Sequence, residues 1–100
     1  MSKLSAPDII HLVHRHFPET QVGNAIRVVW HESRYDTLAE GSEGEIGLFQ
    51  IHPTWIPTAL RRGFSNLFDP EQNAAFAFYL WMNGGWRGHW YRVSVAQGIR

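Results

Sequence analysis

Asp69-Pro-Glu-Gln-Asn-Ala-Ala-Phe-Ala-Phe-Tyr-Leu-Trp-Met-Asn83 is the stretch on which the fold turns. It opens as helices open, with Asp69 at the cap, Pro70 at the first helical position and Gln72 at the third. From Ala74 to Met82 it then has no polar side. A helix that is apolar all round is surrounded by protein. The spacing therefore predicts a central core helix, stopped by Asn83-Gly84-Gly85.

Shorter helices are expected around it. Ser5-Ala-Pro-Asp8 is a second start signal, with Ser5 at the N-cap, Pro7 in the first turn and Asp8 closing a capping box. At 100° per residue Ile9, Ile10, Leu12, Val13 and Phe17 share one stripe, so the helix runs to about His16 and Pro18 ends it. Thr20 is expected to cap a second helix over about Gln21 to Ser33, with Val22, Ala25, Ile26, Val29 and Trp30 on its apolar face. Arg34 to Gly47 is a loop with room for a small β-hairpin. Pro53 opens a helix that ends near Gly63 and is kinked or interrupted at Pro57. A last helix spans Trp90 to Gln97. The expected class is all-α, α+β at most through the hairpin, with residues 1–100 forming one domain.

Composition narrows the function. Nine basic residues balance nine acidic ones, which disfavours nucleic acid as a partner, since a basic face is expected there. It also disfavours a polybasic membrane anchor. With no cysteine, disulfide scaffolds, thiol nucleophiles and zinc fingers are excluded. No run approaches the roughly 18 apolar residues of a membrane span. The opening residues Met1 to Asp8 carry no hydrophobic signal region, which leaves action in the cytoplasm, release by lysis or excision from a longer chain. Five tryptophans in one hundred residues are hard to bury whole, so some rings are expected to line a ligand groove.

Glu32 is the anomaly of the second helix. It projects beside Val28 and Val29, at the edge of the apolar stripe and in the last turn, where the helix dipole is negative. Both surroundings disfavour a charged carboxylate and raise its pKa, as general acid catalysis near neutral pH needs. The alternative is a structural ion pair with Arg34 or another arginine.

Three motifs follow in order: His31-Glu32-Ser33, then Gly44-Glu-Ile-Gly-Leu-Phe-Gln-Ile-His-Pro-Thr-Trp55, then Asn66-Leu-Phe-Asp-Pro-Glu-Gln-Asn-Ala-Ala-Phe-Ala-Phe-Tyr-Leu80. Together, from about Ala25 to Trp90, they resemble the lysozyme-like superfamily, and most closely its soluble lytic transglycosylase branch. The resemblance implies a lysozyme-like fold. It also implies an enzyme cleaving peptidoglycan between N-acetylmuramic acid and N-acetylglucosamine, without a cofactor, in the bacterial cell wall. Glu32 matches the family's catalytic acid and Ser33 the residue that helps orient it or the sugar. Gln50 matches a groove-lining glutamine. Trp55 matches a sugar platform of animal lysozymes, with core packing as the alternative. Glu45 stands where animal lysozymes carry their second catalytic carboxylate. It favours hydrolysis, against a solvated loop glutamate, with Glu43 and Asp36 as weaker rivals. Transglycosylases need no second carboxylate, because the sugar's own 6-hydroxyl attacks. Where the branch commonly has Ala-Tyr-Asn-x-Gly, this chain has Trp81-Met-Asn-Gly-Gly-Trp86-Arg-Gly-His-Trp90, as in small phage-type members. The usual tyrosine partner of the acid is thus unassigned. Tyr79 or Tyr91 is its stand-in, and Tyr79 and Trp86 count among the candidate substrate contacts.

No metal site is expected. His11, His14 and His16 do not converge on one helix face, and His31-Glu32 is not His-Glu-x-x-His because position 35 is Tyr. A non-catalytic wall-binding module of the same fold is the competing reading. The chain is expected to act as a monomer or as a module of a larger protein.

Overall fold

The computed structural model describes residues 2–100, and Met1 lies outside them. Five helices carry the chain: α1 (Ala6–His16), α2 (Val22–Ser33), α3 (Ile56–Arg61), α4 (Pro70–Gly84) and α5 (Tyr91–Gln97). Single 3-10 turns at Glu19–Gln21 and Pro53–Trp55 lead into α2 and α3. The all-α class holds, and the hairpin expected before Gly47 reduces to isolated bridges, Glu40 with Ile46 and Ile46 with Ile51.

Local signals set most boundaries. Ser5 and Asp8 form the full capping box of α1. Asp69 caps α4 through the Gln72 amide at 3.0 Å. The Gln72 side chain does not complete a box there; it accepts the Asn66 N–H instead and ties down the preceding turn. The expectation for Thr20 is corrected: the chain makes a 3-10 turn first, Gln21 is the N-cap of α2, and no side chain caps that helix. The third helix is broken as Pro57 requires, one 3-10 turn before six α-helical residues.

α4 is central but not wholly enclosed. Ala74, Phe76, Ala77 and Leu80 are buried, whereas Met82 is 64% exposed in the final turn. α1 packs on α4 and α2, and α2 packs on α5. At one end the core is aromatic. Phe17 stacks between Phe49 and Trp86 at 5.6 and 5.5 Å, and Trp90 closes on both Trp86 and Phe49. The buried indoles keep their donors satisfied: Trp86 on Gln21 Oε1 at 2.7 Å and Trp90 on the Phe49 carbonyl at 2.9 Å.

One buried polar side chain joins this core to the loop that precedes α3. Asn73 of α4 is fully buried. Its amide donates to the carbonyls of Ile46 and Leu67 at 2.9 and 2.8 Å, and its oxygen accepts the Phe49 N–H at 2.9 Å. Gly47 lets the loop come this close. Its φ is +70°, and a Cβ there would stand 2.7 Å from Asn73 Nδ2 and 2.9 Å from the Leu67 carbonyl. Replacing Asn73 with alanine strands three buried backbone groups, at about 1–3 kcal/mol each before relaxation. Urea denaturation of Asn73→Ala is expected to show a loss of about 3 kcal/mol, with the largest gain in amide exchange at Phe49.

Candidate active site

Helix α2 ends on the site. Val28 and Val29 fix its buried face, and that face carries Glu32 one turn later to the edge of the core. The helix then stops abruptly, because Arg34 and Tyr35 are both left-handed, with φ of 53° and 67°. The Arg34 guanidinium lies over the Trp30 ring, 4.9 Å from its centre. It is thereby turned to an aromatic face, and among the described residues no cation forms an ion pair with Glu32. The structural ion pair envisaged for this carboxylate is absent from them.

Glu32 opens into a groove of about 650 Å³ that Glu45, Gln50 and Trp55 also line. Four of the seven residues singled out in the sequence are thus brought together. Burial pushes the Glu32 carboxyl up to about 7, and the negative charge of Glu45 adds to the rise. Glu45 is pushed the opposite way. Its carboxylate accepts hydrogen bonds from its own amide and from that of Glu43, the latter at 2.7 Å, and is held below the usual range. Below about pH 7 one groove therefore holds one protonated and one ionised carboxyl, the arrangement in which acid and charge-stabilising roles separate.

Gln50 shapes the turn as well as the wall. It adopts φ of 51°, and its amide donates to the carbonyls of Ala39 and Gly47 at 3.1 and 3.0 Å. Trp55 is half-buried: one edge meets Phe76, 6.4 Å between centres, while the ring also borders the groove. It packs on the core and borders the groove at once.

The other three candidates lie elsewhere. Ser33 is buried, and its hydroxyl donates to the Val29 carbonyl of its own helix. Tyr79 stacks on Phe76, 5.4 Å away, under the Arg62 guanidinium, and is not part of the groove wall. Trp86 is fully buried in the aromatic core. An enclosed ring cannot stack on a sugar, so the substrate-contact expectation for Trp86 is corrected; Tyr79 is half-buried and stands outside the residues that line this groove. Tyr91, the other stand-in for the missing tyrosine, is 60% exposed and does line the groove.

Two histidines of the groove were not singled out. His52 accepts the Thr54 N–H on Nδ1, so its Nε2 hydrogen donates to Glu43 at 3.1 Å. His89 donates to the Gln50 carbonyl at 3.1 Å; burial pulls its pKa below the usual histidine range and leaves it neutral at pH 7. His52 follows the Gly47-to-Ile51 motif directly, and that adjacency is its only signal in the sequence. His89 has none, since it reaches the groove only through the folding of the chain after α4.

Residues 18–97 match the family described as Transglycosylase SLT domain, a span that holds every one of these groove residues. The chain belongs to the SLT transglycosylase family. No curated protein and no solved structure matches it closely enough to count as similar. Membership places this SLT domain in the lysozyme-like superfamily and makes it a lytic transglycosylase-type enzyme whose substrate is peptidoglycan. Helix α1 precedes the matched span, yet it supplies Ile9, Leu12 and Val13 to the buried core of this SLT domain. Among the described residues no helix is long and apolar enough to cross a membrane.

The raised Glu32 has a consequence for stability. Between the ordinary glutamate pKa and about 7, the unfolded chain is ionised there and the folded chain is not. The unfolded state binds fewer protons, so stability falls as pH rises across that window. Glu32→Gln should melt with the parent at pH 4 and above it at pH 8, the gap opening between those values in paired thermal melts.

Proposed function

We propose that this enzyme cleaves the glycosidic bond after N-acetylmuramic acid with Glu32 as general acid and Glu45 as the ionised carboxylate facing the developing charge. The opposed shifts of two carboxyls in one groove carry the reading. Glu32 gives its proton to the glycosidic oxygen as the bond from the anomeric carbon breaks, and the bonding pair leaves with that oxygen. Positive charge spreads over the anomeric carbon and ring oxygen, where a nearby carboxylate stabilises it. Glu32, now ionised, takes a proton from the hydroxyl that attacks next. If that hydroxyl is the sugar's own 6-OH, the product is a 1,6-anhydro end; if it is water, a reducing end.

Family membership favours the anhydro product. The ionised Glu45 favours water, because hydrolytic enzymes of this chemistry use a second carboxylate. Trp55 and Tyr91 are the aromatic surfaces on which sugar rings stack. The competing reading, a wall-binding module without turnover, fits poorly with a destabilising carboxyl that has no ion-pair partner among the described residues.

On purified peptidoglycan, Glu32→Gln should lose at least about a hundredfold in muropeptide release, the usual scale for a general acid, with circular dichroism unchanged. Release at the parent's rate would end the assignment. Mass spectrometry of the released muropeptides identifies the attacking hydroxyl. The rate should follow a bell, falling above about pH 7 as Glu32 ionises and again below the usual carboxylate range as Glu45 takes up its proton.

A further inference from the structure

We propose that Gly41 is a positioning residue: its bare Cα is the seat on which the Glu45 carboxylate and the Gln50 carboxamide oxygen rest, and any side chain there turns Glu45 away from the groove. A Cβ on Gly41 would stand 2.4 Å from Glu45 Oε1, 2.7 Å from Glu45 Cδ and 2.7 Å from Gln50 Oε1. Gly41 and Glu45 face each other across a tight turn, the Gly41 N–H on the Glu45 carbonyl at 2.9 Å and the Gly44 N–H on the Gly41 carbonyl at 3.0 Å. The Glu45 side chain folds back over that turn to reach the Glu43 amide.

The backbone does not demand glycine at position 41, which has no left-handed φ; the space above it does. The contrast with Gly47 is instructive. There a Cβ meets a backbone carbonyl and a fully buried asparagine, and the fold must give. At Gly41 it meets only the far ends of two side chains, so the side chains give. Gln50 is anchored by two carbonyls of the loop, whereas Glu45 is bordered by solvent in the groove. Glu45 yields first. Nothing in its chemistry changes, only its place, and with it the field at Glu32.

The functional half of the inference rests on the role proposed for Glu45, and the experiment separates the two. In Gly41→Ala, with urea midpoint unchanged, carbon-detected NMR should find the Glu45 titration moved up toward an ordinary glutamate and that of Glu32 moved down. Muropeptide release should fall roughly tenfold or more, as expected for a displaced electrostatic stabiliser. Adding Gly41→Ala to Glu45→Gln should cost nothing further, since both remove one interaction. Unmoved titrations in Gly41→Ala would overturn the seat. Moved titrations with full activity in Glu45→Gln would keep the seat and overturn the role of Glu45. The parent gives a check that needs no variant: the Glu43 amide proton should shift with the titration of Glu45, and a Glu43 amide indifferent to pH over the carboxylate range would also overturn the seat.

Discussion

Two hydrogen bonds of Asn73, one to Ile46 and one from Phe49, hold the groove loop to the core helix, and a third ties in Leu67. The loop from Ala39 to Ile51 contains no regular strand, and its two bridges are single pairs, so it has little intrinsic order. What gives it a fixed shape is a buried amide that gives one donor and its acceptor to loop backbone and its other donor to the Leu67 carbonyl ahead of the core helix. From that anchor the rest follows by contact. Gly47 is drawn onto α4, the turn to Gln50 closes, and Glu45 comes to stand two residues before the anchored glycine. Trp90 and His89 then fasten the same turn from the other side, through the carbonyls of Phe49 and Gln50. In a chain without cysteine, buried amide, indole and imidazole donors do the fastening that a disulfide does elsewhere.

The anchor matters because one groove holds two carboxyls whose pKa values are pushed in opposite directions. Burial alone raises a carboxyl, but it also destabilises the fold whenever that group ionises. Here the two carboxyls are treated asymmetrically. Glu32 sits on the rigid end of a packed helix, with apolar neighbours. Glu45 sits on the loop, where two backbone N–H groups compensate its charge. The ionised partner then raises the buried one further. If the loop were free to withdraw, Glu45 would move into solvent and relieve the repulsion. The clamp on the loop is therefore also what sustains the electrostatic asymmetry.

Much of this was legible in the residues. Capping residues and apolar spacing located α1, α4 and the interrupted helix at Pro57, because those signals act within one or two turns. The edge position of Glu32 was legible for the same reason: helical angles place it relative to Val28 and Val29. Thr20 misled because a cap signal cannot tell a 3-10 turn from the α-helix that follows it. Met82 misled because apolarity shows that a side chain can be buried and not that a neighbour is there to bury it. His89 was illegible because it depends on segments far apart in the chain meeting in space, and the convergence over Gly41 because it depends on the path of an irregular loop that no periodic pattern describes. Asn73 stood in the motif, but its role as a clamp needed the partner backbone in view.

The tryptophans show how a small domain divides one residue type between core and groove. With little interior volume, a few very large side chains fill space that many small ones cannot. Trp86 and Trp90 do this, stacked with Phe17 and Phe49, each with its N–H satisfied. Trp30 turns outward, 40% exposed, with Arg34 over its ring. Trp90 borders the groove from within the core, and Trp55, on the 3-10 turn that follows the loop, touches the core through Phe76 and borders the groove as well. The core edge of Trp55 fixes its orientation, so the side that borders the groove has little rotamer freedom left to lose. The aromatic wealth of the sequence thus points first to the making of a core from few residues. The ligand surface is the remainder, set where the core reaches the loop that Asn73 holds.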